Sequence, residues 1–395
     1  MLSEQAVPVV RATLPAVGGA LDRITERFYG RLFAAHPELL RDLFNRGNQA
    51  NGEQRQALAG SIAAFAVALL EHPDRRPDAM LARIAHKHAS LGVTSEQYKV
   101  VHEHLFAAIV EVLGDAVTPE VARAWDEVYW LMANALIAVE ARLYQEAGVT
   151  EGQVWRSMEI AERREETADT VSFVLRPADG SPTAAFRPGQ YVSVRVALPD
   201  GARQIRQYSL SSAPGRPQWR ITVKRVDGDP AGEVSSWLHA RAREGDAVEV
   251  SAPFGDLVLP EGDGPLLLAS AGIGSTPMLA MLDHLVETGS ARPVVVVHAD
   301  RAPASHAHAA ELRRLVDALP QGTLHLWYEE PGDSGALPGR ADVAGLDLPA
   351  GTTAYLCGPL PFLRAVRGDL LGRGTAAADI HYEVFGPDLW LGTES

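Results

Sequence analysis

Arg206, Tyr208 and Ser209 fall within four positions of one another. Together they carry what a flat, phosphate-bearing redox ring needs. A guanidinium matches two phosphate oxygens at once, an aromatic face covers a ring, and a hydroxyl reaches a ring edge. Residues 203–211, Arg-Gln-Ile-Arg-Gln-Tyr-Ser-Leu-Ser, alternate as a strand does, and the stretch reads as the seat of a flavin. A second group centres on His86 and His88, which on a helix point to nearly opposite sides. Leu81, Ile84, His88 and Leu91 form one stripe, so His88 interrupts an apolar face and His86 falls off it. On residue type alone His88 is either a satisfied core histidine or a haem ligand. Gln54, one turn before Leu58, and Tyr29, beside the stripe of Leu21, Ile24, Phe28 and Leu32, are polar groups on helices that would share its pocket. A third group is Gly272-Ile273-Gly274-Ser275, a loop whose glycines admit a dinucleotide and whose following helix start offers free N–H groups to phosphates. It lacks the last glycine of the usual dinucleotide fingerprint, so that motif is not assigned. Cys357-Gly358-Pro359 ends a strand, where ligands of open parallel sheets bind, although a buried thiol acting as a small apolar residue fits Cys357 equally well.

The elements that must position these groups divide the chain of 395 residues into three. Residues 1–147 repeat apolar positions at helical spacing, ending in a run from Val121 to Leu143 that opens on Thr118-Pro119 and stops at Gly148. Residues 153–260 hold short alternating runs at 171–175, 191–196, 219–224 and 247–250, the pattern of a small antiparallel barrel. Residues 261–395 alternate buried strands, at 266–271, 294–298 and 353–357, with helices at 276–285 and 311–319, and Pro277 is expected at the first helical position. A formal charge of -14 argues against nucleic acid or an anionic membrane as the main partner and leaves small molecules. One cysteine, Cys357, rules out an intrachain disulfide, a Cys-ligated zinc and an iron–sulfur cluster. The amino terminus lacks a targeting pattern and no long apolar run occurs, so a cytoplasmic protein is expected.

Arg27-Phe28-Tyr29, Leu43-Phe44-Asn45, residues 51–58 (Asn-Gly-Glu-Gln-Arg-Gln-Ala-Leu), Ile84-Ala85-His86-Lys87-His88 and Tyr98 resemble the globin domain of the flavohaemoglobins. The resemblance continues through Pro188-Gly189-Gln190-Tyr191, Arg206-Gln207-Tyr208-Ser209, residues 232–238, Gly272-Ile273-Gly274-Ser275-Thr276-Pro277-Met278 and His381-Tyr382-Glu383-Val384-Phe385-Gly386-Pro387. It implies an all-α globin, then an antiparallel β-barrel FAD domain, then an α/β parallel-sheet NAD(P)-binding domain, carrying haem b, FAD and NADH or NADPH. His88 would then be the proximal ligand, with Tyr98 and Glu140 behind it and Phe44 packed on the haem face. Tyr29, Gln54 and Leu58 would line the distal side, and Lys87 matches a position held to tune the redox centres, although a solvated lysine fits as well. FAD would be held by Tyr191, Arg206, Gln207, Tyr208, Ser209, Gly232, Val234 and Ser235. The nicotinamide nucleotide would meet Gly272, Ile273, Gly274, Ser275, Thr276, Pro277, Cys357, Gly358 and Pro359. Glu383, Val384, Phe385, Gly386 and Pro387 would border the flavin, Phe385 covering its ring, with Val384 where many relatives carry cysteine. The implied activity converts nitric oxide and oxygen to nitrate. An oxygen-binding or gas-sensing globin with an attached reductase, and an NAD(P)H-dependent flavin or ferric reductase, are the alternatives. Arg301 could meet a 2′-phosphate or simply be solvated, and a monomer without nucleic-acid or obligate membrane partners is expected.

Overall fold

The structure, a computed structural model, describes residues 1–386; Pro387 and residues 388–395 lie outside the described residues. The first part is helical: α1 (Ala6–Ala35), α2 (Pro37–Asp42), α3 (Arg46–Ala50), α4 (Glu53–Glu71), α5 (Asp78–Leu91), α6 (Ser95–Leu113) and α7 (Pro119–Glu146). Local signals set the ends. Asn45 caps α3 by accepting from the amides of Gly47 and Asn48, Thr94 and Gln97 form a capping box on α6, and Thr118 accepts from Val121 N ahead of Pro119. Gly148, at φ 66°, lets the chain leave α7 as Val149 N returns to Tyr144 O. Helix α1 packs against α4, α6 and α7, while α5 lies along α7. Ile24, Phe28 and Leu32 are buried, as the α1 stripe requires.

The remainder comprises β1 (Trp155–Thr167), β2 (Thr170–Pro177), β3 (Tyr191–Ala197), β4 (Arg203–Ser209), β5 (Trp219–Lys224), α8 (Glu233–Arg241), β6 (Ala247–Ser251), β7 (Leu266–Ala271), α9 (Ser275–Glu287), β8 (Val294–Asp300), α10 (Ala309–Asp317), β9 (Gly322–Tyr328), β10 (Leu337–Pro338), β11 (Thr353–Cys357), α11 (Leu360–Gly372) and β12 (Ile380–Glu383). One sheet runs β4-β3-β6-β1-β2-β5, and a bridge from Leu210 to Ile221 joins the chain just past β4 back to β5, closing a barrel. The other runs β10-β9-β8-β7-β11-β12, parallel throughout. Strand β7 is its turning point, with β8 and β9 on one side and β11 and β12 on the other. The C-terminal ends of β7 and β11 therefore flank the crevice where such sheets bind ligands. Leu266, Leu268, Met278, Leu282, Val296 and Leu315 form the core beneath.

Compactness divides the described chain into two units, Met1–Trp155 with Ala197–Ile205, and Arg156–Val196 with Arg206–Gly386. Within the second, polar contacts lock the barrel to the parallel sheet. Arg220 of β5 grips the Glu311 carboxylate of α10 at 2.9 and 3.0 Å. His308 reaches Thr222 at 2.9 Å and Ser172 at 3.2 Å through Nε2, and Glu311 at 3.1 Å through Nδ1. Asp283 of α9 accepts from Ala213 N at 2.8 Å and from Arg216. Three sequence expectations change. Helix α9 opens at Ser275, which makes Pro277 its third residue, still inside the first turn where a missing N–H costs nothing. His86, expected off the apolar face, is 7% exposed, whereas His88 is partly open. Strands β1, β9 and β12 and helix α11 were not anticipated. No described helix is long and apolar enough to cross a membrane.

Candidate functional site

Donor counting around His88 fixes its proton. Nδ1 lies 2.9 Å from Tyr98 Oη and 2.9 Å from Glu140 Oε1, and the Tyr98 hydroxyl donates to the same Glu140 oxygen at 2.6 Å. The tyrosine's single proton is committed to the carboxylate, so both neighbours of Nδ1 can only accept. Nδ1 therefore carries the hydrogen, and Nε2 keeps a lone pair for a metal. The imidazole is 32% exposed while Glu140 is 3% exposed, so the orienting carboxylate is sealed and the ring is not. Burial, and then the Glu140 charge, hold the Tyr98 phenol far above its ordinary value. The donor set fits a haem iron: a neutral imidazole with one nitrogen anchored and the other free.

Tyr29, 5% exposed, shares hydrogen bonds with the side chains of Gln54 and Gln49. Phe44 meets Tyr29 and Phe33 edge-on, at ring separations of 5.8 and 5.3 Å. A cavity of about 360 Å³ opens here, lined by Tyr29, Phe33, Leu40 and Gln49, with Arg46 and Arg55 as its cations. Leu58 and Lys87 are both half-buried. Gln49 was missed by sequence reasoning, because a glutamine on the short α3 has no periodicity to mark it. His102 pairs with Asp126 at 2.7 Å.

In the barrel, Arg206, Gln207 and Tyr208 are half-buried on β4 and Ser209 is 4% exposed. Gln207 donates to Ser193 Oγ of β3 at 2.9 Å, which fixes the strand's face. Burial, opposed by the Arg206 cation, raises the Tyr208 phenol. Ser209 Oγ is buried and takes no hydrogen bond within the described residues, an orphan suited to a ring-edge acceptor. Gly189, at φ 102°, turns the chain into Tyr191 where a β-carbon would collide with the Leu257 carbonyl oxygen. Gly232 precedes α8; Val234 and Ser235 in its first turn are buried, and Ser235 Oγ accepts from Val226 N at 3.1 Å.

The same kind of close approach joins the glycine loop to the turn after β11. A β-carbon on Gly274 would strike the backbone of Cys357 and Gly358, so the loop of Gly272, Ile273 and Gly274, which opens α9 at Ser275, Thr276 and Pro277, meets the Cys357-Gly358-Pro359 turn at Gly274. Ser275 Oγ is a second buried hydroxyl without a partner among the described residues. Cys357 is fully buried, and burial together with the Glu383 charge keeps its thiol protonated, in keeping with a packing role. Glu383 pairs with Cys357 across β11 and β12, Val384 and Gly386 follow, and Phe385 is 46% exposed. Arg301 projects into solvent at 68% exposure, 3.6 Å from Asp169. Pro387 lies outside the described residues.

A helical unit with an anchored imidazole, joined to a flavin barrel and a parallel nucleotide-binding sheet, defines a globin fused to an FAD/NAD reductase module. Family models agree: Globin matches residues 26–136, an oxidoreductase FAD-binding domain matches 157–258, and an oxidoreductase NAD-binding domain matches 268–368. Among relatives, the flavohemoprotein of Chromobacterium violaceum is 44% identical over 98% of both chains, and that of Bacillus subtilis 37% identical over 99% of both. A flavohemoglobin from Malassezia yamatoensis, solved with FAD and heme bound, superposes with a TM-score of 0.90 at 38% identity, covering 98% of this chain and all of that one. The FAD/NAD-binding domain of a Vibrio cholerae nitric oxide dioxygenase gives 0.57 at 39% identity, over 60% of this chain and 100% of its own. The chain belongs to the flavohemoprotein family.

Proposed function

We propose that the protein is a nitric oxide dioxygenase, converting nitric oxide and oxygen to nitrate with electrons passed from NADH or NADPH through FAD to haem b. When bound, haem supplies the oxygen-activating iron, FAD splits a hydride pair into single electrons, and the nicotinamide nucleotide supplies the hydride. The observation that carries this reading is the Glu140–Tyr98–His88 chain. Glu140 and Tyr98 hold the proton on His88 Nδ1, which would leave Nε2 as a strengthened donor to a haem iron. Such a donor suits activation of oxygen, and its carriage more weakly. Tyr29, oriented by Gln54 and Gln49, would present its hydroxyl to the gas on the distal side, where Phe44 and Leu58 would supply apolar walls.

Arg206 would meet the flavin pyrophosphate, with the amides opening α8 at Gly232, Val234 and Ser235 facing the same group. Tyr191 and Tyr208 would pack on the ring, and Ser209 would give its unused hydroxyl to the ring edge. The glycine loop and the Cys357 turn would receive the nicotinamide nucleotide. The test is His88→Ala. The variant is expected to lose haem, seen as loss of Soret absorbance, while NAD(P)H still bleaches the flavin. Retained haem would overturn the ligand assignment, and reduction of ferric chelates or free flavin that survives loss of haem at the wild-type rate would favour a flavin or ferric reductase.

A further inference from the structure

Asp283 is 4% exposed and lies on α9, eight residues past the Ser275 that opens the helix. A buried carboxylate needs donors, and Asp283 finds them outside its own helix. Oδ2 accepts from Ala213 N at 2.8 Å and Oδ1 accepts from Arg216 at 2.9 Å. Ala213 is fully buried and lies on the chain that leaves β4 just after Tyr208 and Ser209. On that chain Leu210 N returns to Gln190 O at 2.9 Å, which ties Ser209 to the turn leading into Tyr191. Helix α9 reaches the same turn a second way. A β-carbon on Gly189 would stand 2.6 Å from the Met281 methyl, so the helix packs closely on that backbone. The glycine turn at 272–274 packs against β5 as well. All of these residues lie within the second compact unit. An α-helix rises 1.5 Å per residue, so about 12 Å of stiff rod separates Ser275 from Asp283. One end of that rod adjoins the glycine loop, and its middle grips both stretches of barrel that carry the flavin-packing tyrosines.

We propose that Asp283 is a positioning residue for hydride transfer from the nicotinamide to the flavin. This inference rests on the functional reading above, in that the hydride lost by the reduced nicotinamide is gained by the flavin, together with one proton from solvent. Asp283 touches neither group. It acts through Ala213, because the length of its side chain sets how far the Tyr208-Ser209 wall of the barrel stands from the glycine loop. A misplacement of about 1 Å between reacting partners can cost on the order of a hundredfold in rate. Charge is secondary: Arg216 also donates to Glu287 at 3.0 Å, so neutralising Asp283 strands no cation.

The experiment uses the full chain loaded with haem and FAD, as wild type, Asp283→Asn, Asp283→Glu and Asp283→Ala. Asparagine keeps an acceptor oxygen at the same reach, glutamate keeps the charge but lengthens the arm by a methylene, and alanine removes the acceptor. Anaerobic stopped flow over a range of NADH concentrations separates the Kd of the nucleotide from the limiting rate of flavin bleaching. That rate should fall by about tenfold or more with glutamate and alanine and stay within about twofold of wild type with asparagine, Kd being unchanged throughout. Independently of turnover, the long-wavelength charge-transfer absorbance of reduced flavin with NAD+, which requires the two rings to stack, should weaken in the same two variants. Wild-type rates and charge-transfer bands with glutamate and alanine would overturn the proposal, as would asparagine as slow as alanine. Loss of FAD from both the glutamate and alanine variants would also overturn it, making Asp283 a fold-stabilising residue instead. Wild-type protein whose bound FAD is bleached by neither NADH nor NADPH would fault the functional reading itself.

Discussion

The hydrogen on His88 Nδ1 has two acceptors and no alternative, and that one assignment decides which nitrogen faces a metal. In the proposed gas site the corresponding group would be the Tyr29 hydroxyl, whose phenol burial keeps it protonated at any working pH and hence a donor. A hydrogen bond from such a donor to a ligand that gains negative charge contributes about 1.5–3 kcal/mol. Tyr29→Phe should therefore raise the oxygen dissociation rate of the reduced holoprotein by roughly 10- to 100-fold while leaving haem content unchanged. Flash photolysis or stopped flow measures this, and an unchanged rate would remove Tyr29 from the gas site. The identity of these residues was legible in the sequence, but their environment was only half legible. Helical spacing marked the face of His88 as apolar and that of His86 as outward. In the fold His86 is the buried one, while the His88 side chain is 32% exposed.

Among elements, the contact of β5 and α10 is the most sensitive to charge. Burial alone would raise the Glu311 carboxyl. Hydrogen bonds from His308 and Arg220 outweigh burial and bring it from 4.5 down to about 2. Because the folded value lies below the unfolded one, the stabilisation is fully present above about pH 4.5 and is lost as pH falls toward 2. A shift of that size corresponds to on the order of 3 kcal/mol. Glu311→Gln should cost about that much at pH 7 in urea unfolding followed by flavin fluorescence. Its deficit relative to wild type should shrink between pH 4.5 and 2; a constant deficit would contradict the linkage. Elements with clean periodicity were readable: the α1 and α7 stripes, the apolar runs of β7 and β8, and the Thr118-Pro119 start. Strand β1 was not, since its Arg and Glu residues mask the alternation and register shifts at Ile160/Glu162 and Glu165/Thr167 break what remains. His308 and Glu311 were invisible for another reason: their partners Ser172, Thr222 and Arg220 lie 86 to 136 residues away.

For the whole molecule, nitric oxide dioxygenase activity would require a single path in which hydride enters at the nucleotide sheet, leaves the flavin as electrons and is spent at the iron. Motif order along the chain made that sequence of domains readable, and the matching family models follow the same order. Aerobic nitric oxide consumption by the haem- and FAD-loaded protein, with NADH and NADPH in turn and nitrate quantified, is the decisive assay. A dioxygenase should turn over rapidly, with one nitrate formed per nitric oxide consumed and one electron pair drawn from the nucleotide for every two. Slow consumption, or consumption without nitrate, by protein whose haem and flavin are both spectroscopically intact would contradict that reading.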